Sequence, residues 1–127
     1  TVEMQQALGR AASPRERISA IVNVNFSVGQ FRPEVVAAWL AFYVEAQRSP
    51  PLRRLLRIYV RRLRSNLMSG LTPLVSRNQA DIMSEGIAAL IDGFYIRRAL
   101  KDGLPNPRGA AAVIEHYVKA CLSSQPA

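Results

Sequence analysis

The sequence predicts an all-α protein, a bundle of five to six helices in one domain. Apolar residues recur every three or four positions through most of the 127 residues, which is the spacing of one helix face. Prolines and small polar residues interrupt this pattern, as they do where helices begin and end. No segment of strand length alternates between apolar and polar residues, and 127 residues suit a single hydrophobic core.

Two helices are predicted in the first half of the chain. Ser13 can cap the first of them, Pro14 suits its first position, and Glu16 completes a capping box. Its apolar positions are Ile18, Ile21, Val22 and Phe26. The second helix opens at Pro33 and ends at Ser49 and the two prolines after it. Its apolar positions are Val36, Trp39, Leu40, Tyr43 and Val44.

Three longer helices are predicted after these. One starts at about Leu52 and carries a leucine stripe that is typical of a core-facing helix. A turn at residues 72–78 separates it from a helix at about 79–100, which is apolar around much of its circumference and should pack against several neighbours. A break at residues 102–107 precedes the last helix, at about 107–122.

The chain is basic, with a formal net charge of +8. Clustered cations can bind nucleic acid, anionic lipid or an acidic partner. Six arginines lie in the predicted helix after Leu52, at positions 53, 54, 57, 61, 62 and 64. Arg53, Arg57, Arg61 and Arg64 follow a single helix face away from the leucines, as a solvated face does. We therefore favour an exposed face over direct binding of DNA.

Catalytic and metal-binding patterns are not found in the sequence. His116, the only histidine, lies beside an apolar stripe, and Cys121, the only cysteine, is best interpreted as a small buried hydrophobe. The sequence contains neither a glycine-rich phosphate loop nor a metal-ligand cluster, so we expect no enzyme activity, metal or cofactor. One cysteine permits no internal disulfide, which suits the cytoplasm. No apolar run approaches the roughly 20 residues that span a bilayer, so we expect no membrane partner.

Aromatic residues provide the main candidate site. Trp39, Phe42 and Tyr43 lie in one predicted helix, Phe94 and Tyr95 in another, and Tyr59 in the helix between them. Such clusters are either ordinary core or the lining of a cavity. In a cavity, their faces together with Glu45 or Asp92 would suit a quaternary ammonium cation, because ring quadrupoles attract the cation and a carboxylate balances its charge.

Three stretches of the chain resemble the C-terminal domain of TetR-type regulators. They are FRPEVVAAWLAFY at 31–43, RRLRSNL at 61–67 and GIAALIDGFYIR at 86–97. The similarity runs from about residue 13 to 122, and the branch is that of the choline-responsive repressors of glycine betaine synthesis, the BetI type. The resemblance implies that residues 1–12 are the end of a connecting helix and that residues 13–127 form a ligand-binding and dimerisation domain.

This resemblance also implies partners and a site. The last two helices would form a four-helix bundle with those of a second copy, giving a homodimer. A small effector, such as the cation choline, would bind among the preceding helices and relieve DNA binding. The candidate ligand-binding residues are Trp39, Phe42, Tyr43, Tyr59, Asp92 and Tyr95. DNA would be contacted only through an N-terminal helix-turn-helix head of roughly fifty residues, which this chain does not contain.

Two other functions are compatible with the residues alone. One is a stand-alone helical interaction protein whose basic face docks an acidic partner. The other, which the absence of a catalytic pattern disfavours, is a small helical enzyme. The chain has no initiator methionine and opens directly in helix-like sequence. We therefore expect it to be part of a longer protein.

Overall fold

Six helices make up the fold of the residues that the computed structural model describes, 2–27, 29–100 and 106–124. They are α1 (Val2–Arg10), α2 (Pro14–Asn25), α3 (Pro33–Ala46), α4 (Pro50–Leu71), α5 (Arg77–Leu100) and α6 (Pro107–Ser123). No strand occurs in these ranges, which confirms the all-α prediction. Residues 101–105, which make up most of the predicted break at 102–107, lie outside the described residues.

Side-chain caps set the starts of the helices. The Ser13 hydroxyl accepts a 3.1 Å hydrogen bond from the backbone N–H of Glu16, while the Glu16 carboxylate accepts one from Ala12. This is the predicted capping box, except that the Glu16 carboxylate accepts from the backbone N–H of Ala12 and not from that of Ser13. Ser49 caps α4 in the same way, so the two prolines after it begin α4 and do not only end α3. Proline is tolerated there because the first N–H groups of a helix have no intrahelical acceptor.

The hydrophobic core lies among α2, α4, α5 and α6. Its fully buried side chains include Ile18, Ile21, Leu67, Leu71, Met83, Ile87 and Ile114. Gly70 lets α4 approach α2 closely, because a Cβ there would lie 2.9 Å from Ile18 Cγ1 and 3.1 Å from the carbonyl oxygen of Pro14. Helix α5 packs against α3, α4 and α6, as its wide apolar surface predicts.

The leucine stripe of α4 is buried only in its C-terminal half. Leu67 and Leu71 have no exposed surface, whereas Leu55 and Tyr59 are 40% and 41% exposed. With 22 residues α4 is about 33 Å long, whereas α2, with 12 residues, is about 18 Å long. Helix α4 therefore extends beyond α2, and in its first half Tyr59 contacts Trp39 and Phe42 of α3.

Candidate functional site

Four aromatic rings from α3 and α4 form a connected group, which we call the aromatic quartet: Trp39, Phe42, Tyr43 and Tyr59. The ring centroid of Trp39 lies 5.2 Å from that of Tyr59, with the two planes at 83°. It lies 5.8 Å from that of Phe42 and 6.0 Å from that of Tyr43. Edge-to-face contacts such as that of Trp39 with Tyr59 place the positive edge of one ring on the negative face of the other.

Local helix geometry explains part of the quartet. Trp39, Phe42 and Tyr43 have the i, i+3, i+4 spacing that puts side chains on one face of α3. Tyr59 joins them from the exposed first half of α4. The three rings of α3 are half-buried and Tyr59 is exposed, so the quartet presents ring surface to solvent and is not closed core.

Asp92 lies on α5, beside Tyr43. Solvent reaches this residue, but the surrounding protein displaces part of the hydration of its carboxyl group. That partial burial, followed by the nearby charge of Glu85, raises the pKa of Asp92. The pKa of Tyr43 is raised by burial and then by the Asp92 charge. Among the described residues Asp92 forms no ion pair, so its carboxylate is available to a cation.

Glu45, the other candidate carboxylate, is less suited to this role. It is exposed, and its nearest cationic partner is Arg48, at 3.9 Å on the same helix. The quartet therefore has Asp92, and not Glu45, as the carboxylate that interacts with one of its members.

Tyr95 belongs to a second, buried group of rings with Phe26, Phe31 and Phe94. Its ring centroid lies 5.5 Å from that of Phe31 and 6.1 Å from that of Phe26. Its hydroxyl donates a 2.7 Å hydrogen bond to the carbonyl oxygen of Asn25. Burial, and then the neighbouring Tyr43 and Asp92, raise the pKa of Tyr95. The structure thus joins four of the six predicted residues by ring contact, with Asp92 and Tyr95 as electrostatic neighbours of Tyr43.

Arg98, which is not among the residues predicted from the sequence, supports the second group of rings. Its guanidinium lies 5.3 Å from the centroid of Phe31, and its Nε donates a 3.2 Å hydrogen bond to the carbonyl oxygen of Phe31. The i, i+3 spacing from Tyr95 is the signal that could have identified it. Its role is to hold the loop before α3 against α5.

Other candidate chemistry is not assembled in the described residues. His116 is exposed and Cys121 is half-buried on α6. No group of three or more histidine, cysteine, aspartate or glutamate side chains in the described ranges could hold a metal ion. Nor does any described helix have the length and apolarity to cross a membrane.

Comparisons with known proteins identify relatives of this chain. Residues 14–123 match the family model described as "BetI-type transcriptional repressor, C-terminal". The HTH-type transcriptional regulator BetI of Brucella anthropi is 51% identical over 123 residues, which cover 97% of this chain and 63% of that protein. The regulator of the same name from Rhizobium meliloti is 54% identical over 116 residues, covering 91% of this chain and 57% of that protein. Both relatives are thus named as transcriptional regulators and not as enzymes.

A solved structure has the same fold. It is a crystal structure of a protein from Pseudomonas aeruginosa PAO1 described as a transcriptional regulator, with a TM-score of 0.85 and 22% sequence identity. The match covers 97% of this chain and 62% of that one. The chain therefore spans less than two thirds of the length of the proteins that it matches.

Proposed function

Because this chain belongs to the BetI-type family of TetR transcriptional repressors, matching its C-terminal domain, we propose that it is the effector-sensing and dimerising part of a repressor. The effector would be a small quaternary ammonium cation such as choline, bound at the aromatic quartet. The single cysteine suits work in the reducing cytoplasm. The observation that supports this proposal most directly is the partly exposed quartet beside the carboxylate of Asp92, which forms no ion pair with any residue that the structure describes.

The chemistry of the quartet matches such a cation. A quaternary ammonium has no N–H group to donate, so hydrogen-bond acceptors cannot recognise it and ring faces can. Each ring contributes about 0.5–2 kcal/mol, depending on how fully the cation is desolvated. Trp39 and Tyr59 would contact its methyl groups from α3 and α4, and Asp92 would balance its charge from α5. Phe42 and Tyr43 would complete the cage, and Tyr95 would bound it on the core side, beside Tyr43.

The last two helices would supply the dimer interface. Helix α5 exposes Ile82 and Ile96, at 53% and 47%, and α6 exposes Val113, at 45%. Ile82, Ala89 and Ile96 are seven residues apart, which is the repeat of a helix face that packs along a partner helix. Such a stripe fits a four-helix bundle made from α5 and α6 of two copies.

Effector binding and dimer geometry would be linked through α5. Trp39 and Tyr59 lie on α3 and α4, whereas Asp92 shares α5 with the proposed dimer stripe. A cation held between these side chains would favour one position of α5 over another. It can shift the equilibrium between the two positions only to the extent that it binds one of them more tightly. The DNA-binding parts of a dimeric repressor must match half-sites roughly 34–36 Å apart, so a small shift of α5 would release the operator.

Calorimetric titration of the chain with choline and with betaine aldehyde tests the cation site. We expect saturable binding of choline, and affinity at least tenfold weaker for its neutral carbon isostere, 3,3-dimethylbutanol, because the ring faces attract the charge. Trp39→Ala should reduce choline affinity roughly thirtyfold, equivalent to about 2 kcal/mol, and Trp39→Phe much less. Absence of heat from a folded chain, or equal affinity for the neutral isostere, would rule the proposal out.

A further inference from the structure

A groove between the C-terminal half of α4 and the start of α5 is lined by cationic and hydroxyl side chains. It has a volume of about 580 Å³. Its polar lining consists of Arg61, Arg64, Ser65, Ser69, Thr72 and Arg77, with Met68 as the apolar member. We call this the arginine groove. Its volume lies within the range of roughly 300–1,000 Å³ that is usual for small-molecule sites.

The arginine groove faces away from the aromatic quartet. Tyr59 and Arg61 are two positions apart on α4, which turns their side chains about 200° from each other around the helix axis. The lining residues Ser65, Met68 and Thr72 follow at steps of three or four, so they share the face of Arg61. A ligand in the groove would therefore not touch the rings of the quartet.

Positive charge dominates this groove. None of its lining residues is a carboxylate. Arg64 forms an ion pair with Asp81 of α5, but Arg61 and Arg77 form none with any described residue. A further guanidinium, that of Arg17 on α2, contacts the lining without being part of it: its Nε donates a 2.7 Å hydrogen bond to the hydroxyl of Ser69. Three guanidinium groups thus line the groove and a fourth contacts it at Ser69, and among the described residues only Arg64 of these four forms an ion pair.

Helical periodicity does not explain this convergence. A solvated face of α4, as the sequence predicts, accounts for Arg61 and Arg64. It does not account for Arg77 of α5, which lines the same groove, or for Arg17 of α2, which contacts the lining residue Ser69, because only folding brings these side chains to α4. The hydroxyls of Ser65 and Thr72 are further hydrogen-bond donors, whereas the Ser69 hydroxyl already donates to the carbonyl oxygen of Asn66. Like charges brought together without enough counter-charge repel one another, and a bound anion relieves that repulsion.

From this geometry we propose that the arginine groove binds a small polyanion, a molecule with two or more phosphate or carboxylate groups. Guanidinium groups bind the oxygens of such groups in bidentate pairs, and hydroxyls donate to the oxygens that remain. Helix α5 begins at Arg77, so the partial positive charge of its N-terminus lies near the groove, although the N–H of Gln79 already donates to the Ser76 hydroxyl. The polyanion competes with Asp81 for Arg64, so its binding changes the contact between α4 and α5.

Titration of the nitrogen-15-labelled chain with pyrophosphate, citrate and inorganic phosphate tests this site, with binding monitored through the backbone amide chemical shifts. We expect shifts at residues of the groove and affinity for pyrophosphate or citrate about tenfold above that for inorganic phosphate. The two polyanions separate phosphate from carboxylate as the preferred group. Arg61→Gln and Arg77→Gln should each weaken binding about tenfold, and Asp81→Asn should strengthen it, because the competing carboxylate is lost.

Arg62→Gln is the matched control, since Arg62 is the next residue of α4, is exposed, and does not line the groove. Its affinity should stay within twofold of the unmodified chain. Equal losses in Arg62→Gln and Arg61→Gln would mean diffuse attraction and overturn the proposal, as would shifts outside the groove. Tighter binding of a short DNA duplex than of either polyanion would overturn it too. Choline affinity of the Arg61→Gln and Arg77→Gln variants should be unchanged, which keeps this test separate from that of the quartet.

Discussion

The hydroxyl of Tyr95 donates a 2.7 Å hydrogen bond to the backbone carbonyl oxygen of Asn25, and so joins α5 to the last residue of α2. The Tyr95 ring packs against Phe26 and Phe31 in the core, while its charge environment includes Tyr43 and Asp92. Tyr95 thus connects the rigid core to the proposed cation site. The Tyr95 side chain therefore holds α5 in place behind the quartet.

Tyr95→Phe should lower the free energy of unfolding by about 1–3 kcal/mol, because the carbonyl of Asn25 loses its donor in a partly buried place. Urea unfolding followed by circular dichroism measures this. Tyr43→Phe is the matched control, because the Tyr43 hydroxyl has no hydrogen-bond partner among the described residues, and it should cost less than about 0.5 kcal/mol. Equal losses in the two variants would contradict a structural role for the Tyr95 hydroxyl.

Asp92→Asn should make the chain more stable at neutral pH while it weakens binding of choline. The pKa of Asp92 is raised above its usual value of 3.8, so the folded chain holds this proton more tightly than the unfolded chain does. Stability from this group is therefore present at low pH and is lost as pH rises through the raised pKa. At pH 7 the charged, partly buried carboxylate lowers the free energy of unfolding. An asparagine side chain carries no charge and so does not have this effect.

Thermal unfolding of Asp92→Asn and the unmodified chain, at pH 7 and at acidic pH, measures this effect. The variant should melt higher at pH 7, and the difference should shrink as the pH falls. Choline affinity should drop roughly tenfold, about 1.4 kcal/mol, because the balancing charge is lost. A variant that melts lower at pH 7, or that binds choline unchanged, would argue against Asp92 as the site's carboxylate.

Gly86→Ala should destabilise the packing of α5 on α6. A Cβ at this position would lie 2.7 Å from Cζ of Tyr117 and 3.1 Å from its Cε2, so the half-buried ring must move. Overpacking costs about 1–3 kcal/mol, which outweighs the gain of about 1 kcal/mol in helix propensity. Chemical unfolding should show a net loss of about 1 kcal/mol.

The control for Gly86→Ala is Gly9→Ala in α1, where a Cβ would meet nothing within 4 Å. It should leave stability unchanged or raise it by up to about 1 kcal/mol. In a Tyr117→Leu background, Gly86→Ala should lose most of its cost, which a double-mutant cycle detects. A Gly86→Ala variant as stable as Gly9→Ala would refute close contact between α5 and α6 at this point.

Ile82→Glu should convert the proposed dimer into a monomer, because it places a charge in the apolar stripe of α5. Light scattering after size exclusion should give the mass of two 14.1 kDa chains for the unmodified protein, and of one for the variant. Val60→Glu is the matched control, since Val60 is an exposed valine on α4. A dimer that survives Ile82→Glu but not Val60→Glu would move the interface from α5 to α4.

The helices and their caps could be predicted from the sequence because both depend on neighbours a few residues apart. Ser13 and Glu16 belong to one capping box, and Trp39, Phe42 and Tyr43 share a face of α3 through i, i+3, i+4 spacing alone. The family resemblance indicates the same rings, and the charge of a bound cation indicates Glu45 or Asp92 as its counter-ion. These features survive in any arrangement of the helices, so local patterns are enough to find them.

Tertiary packing decided which distant groups meet, because helix length and crossing geometry are not encoded in any local spacing. It buried Tyr95 against Phe26 and Phe31 and left Tyr59 exposed with the quartet. It also brought Arg77 to the groove beside Arg61 and Arg64, and Arg17 to Ser69, on a part of α4 that the sequence by itself predicted to be only a solvated face. Those contacts join residues on different helices, and only the folded chain places them together.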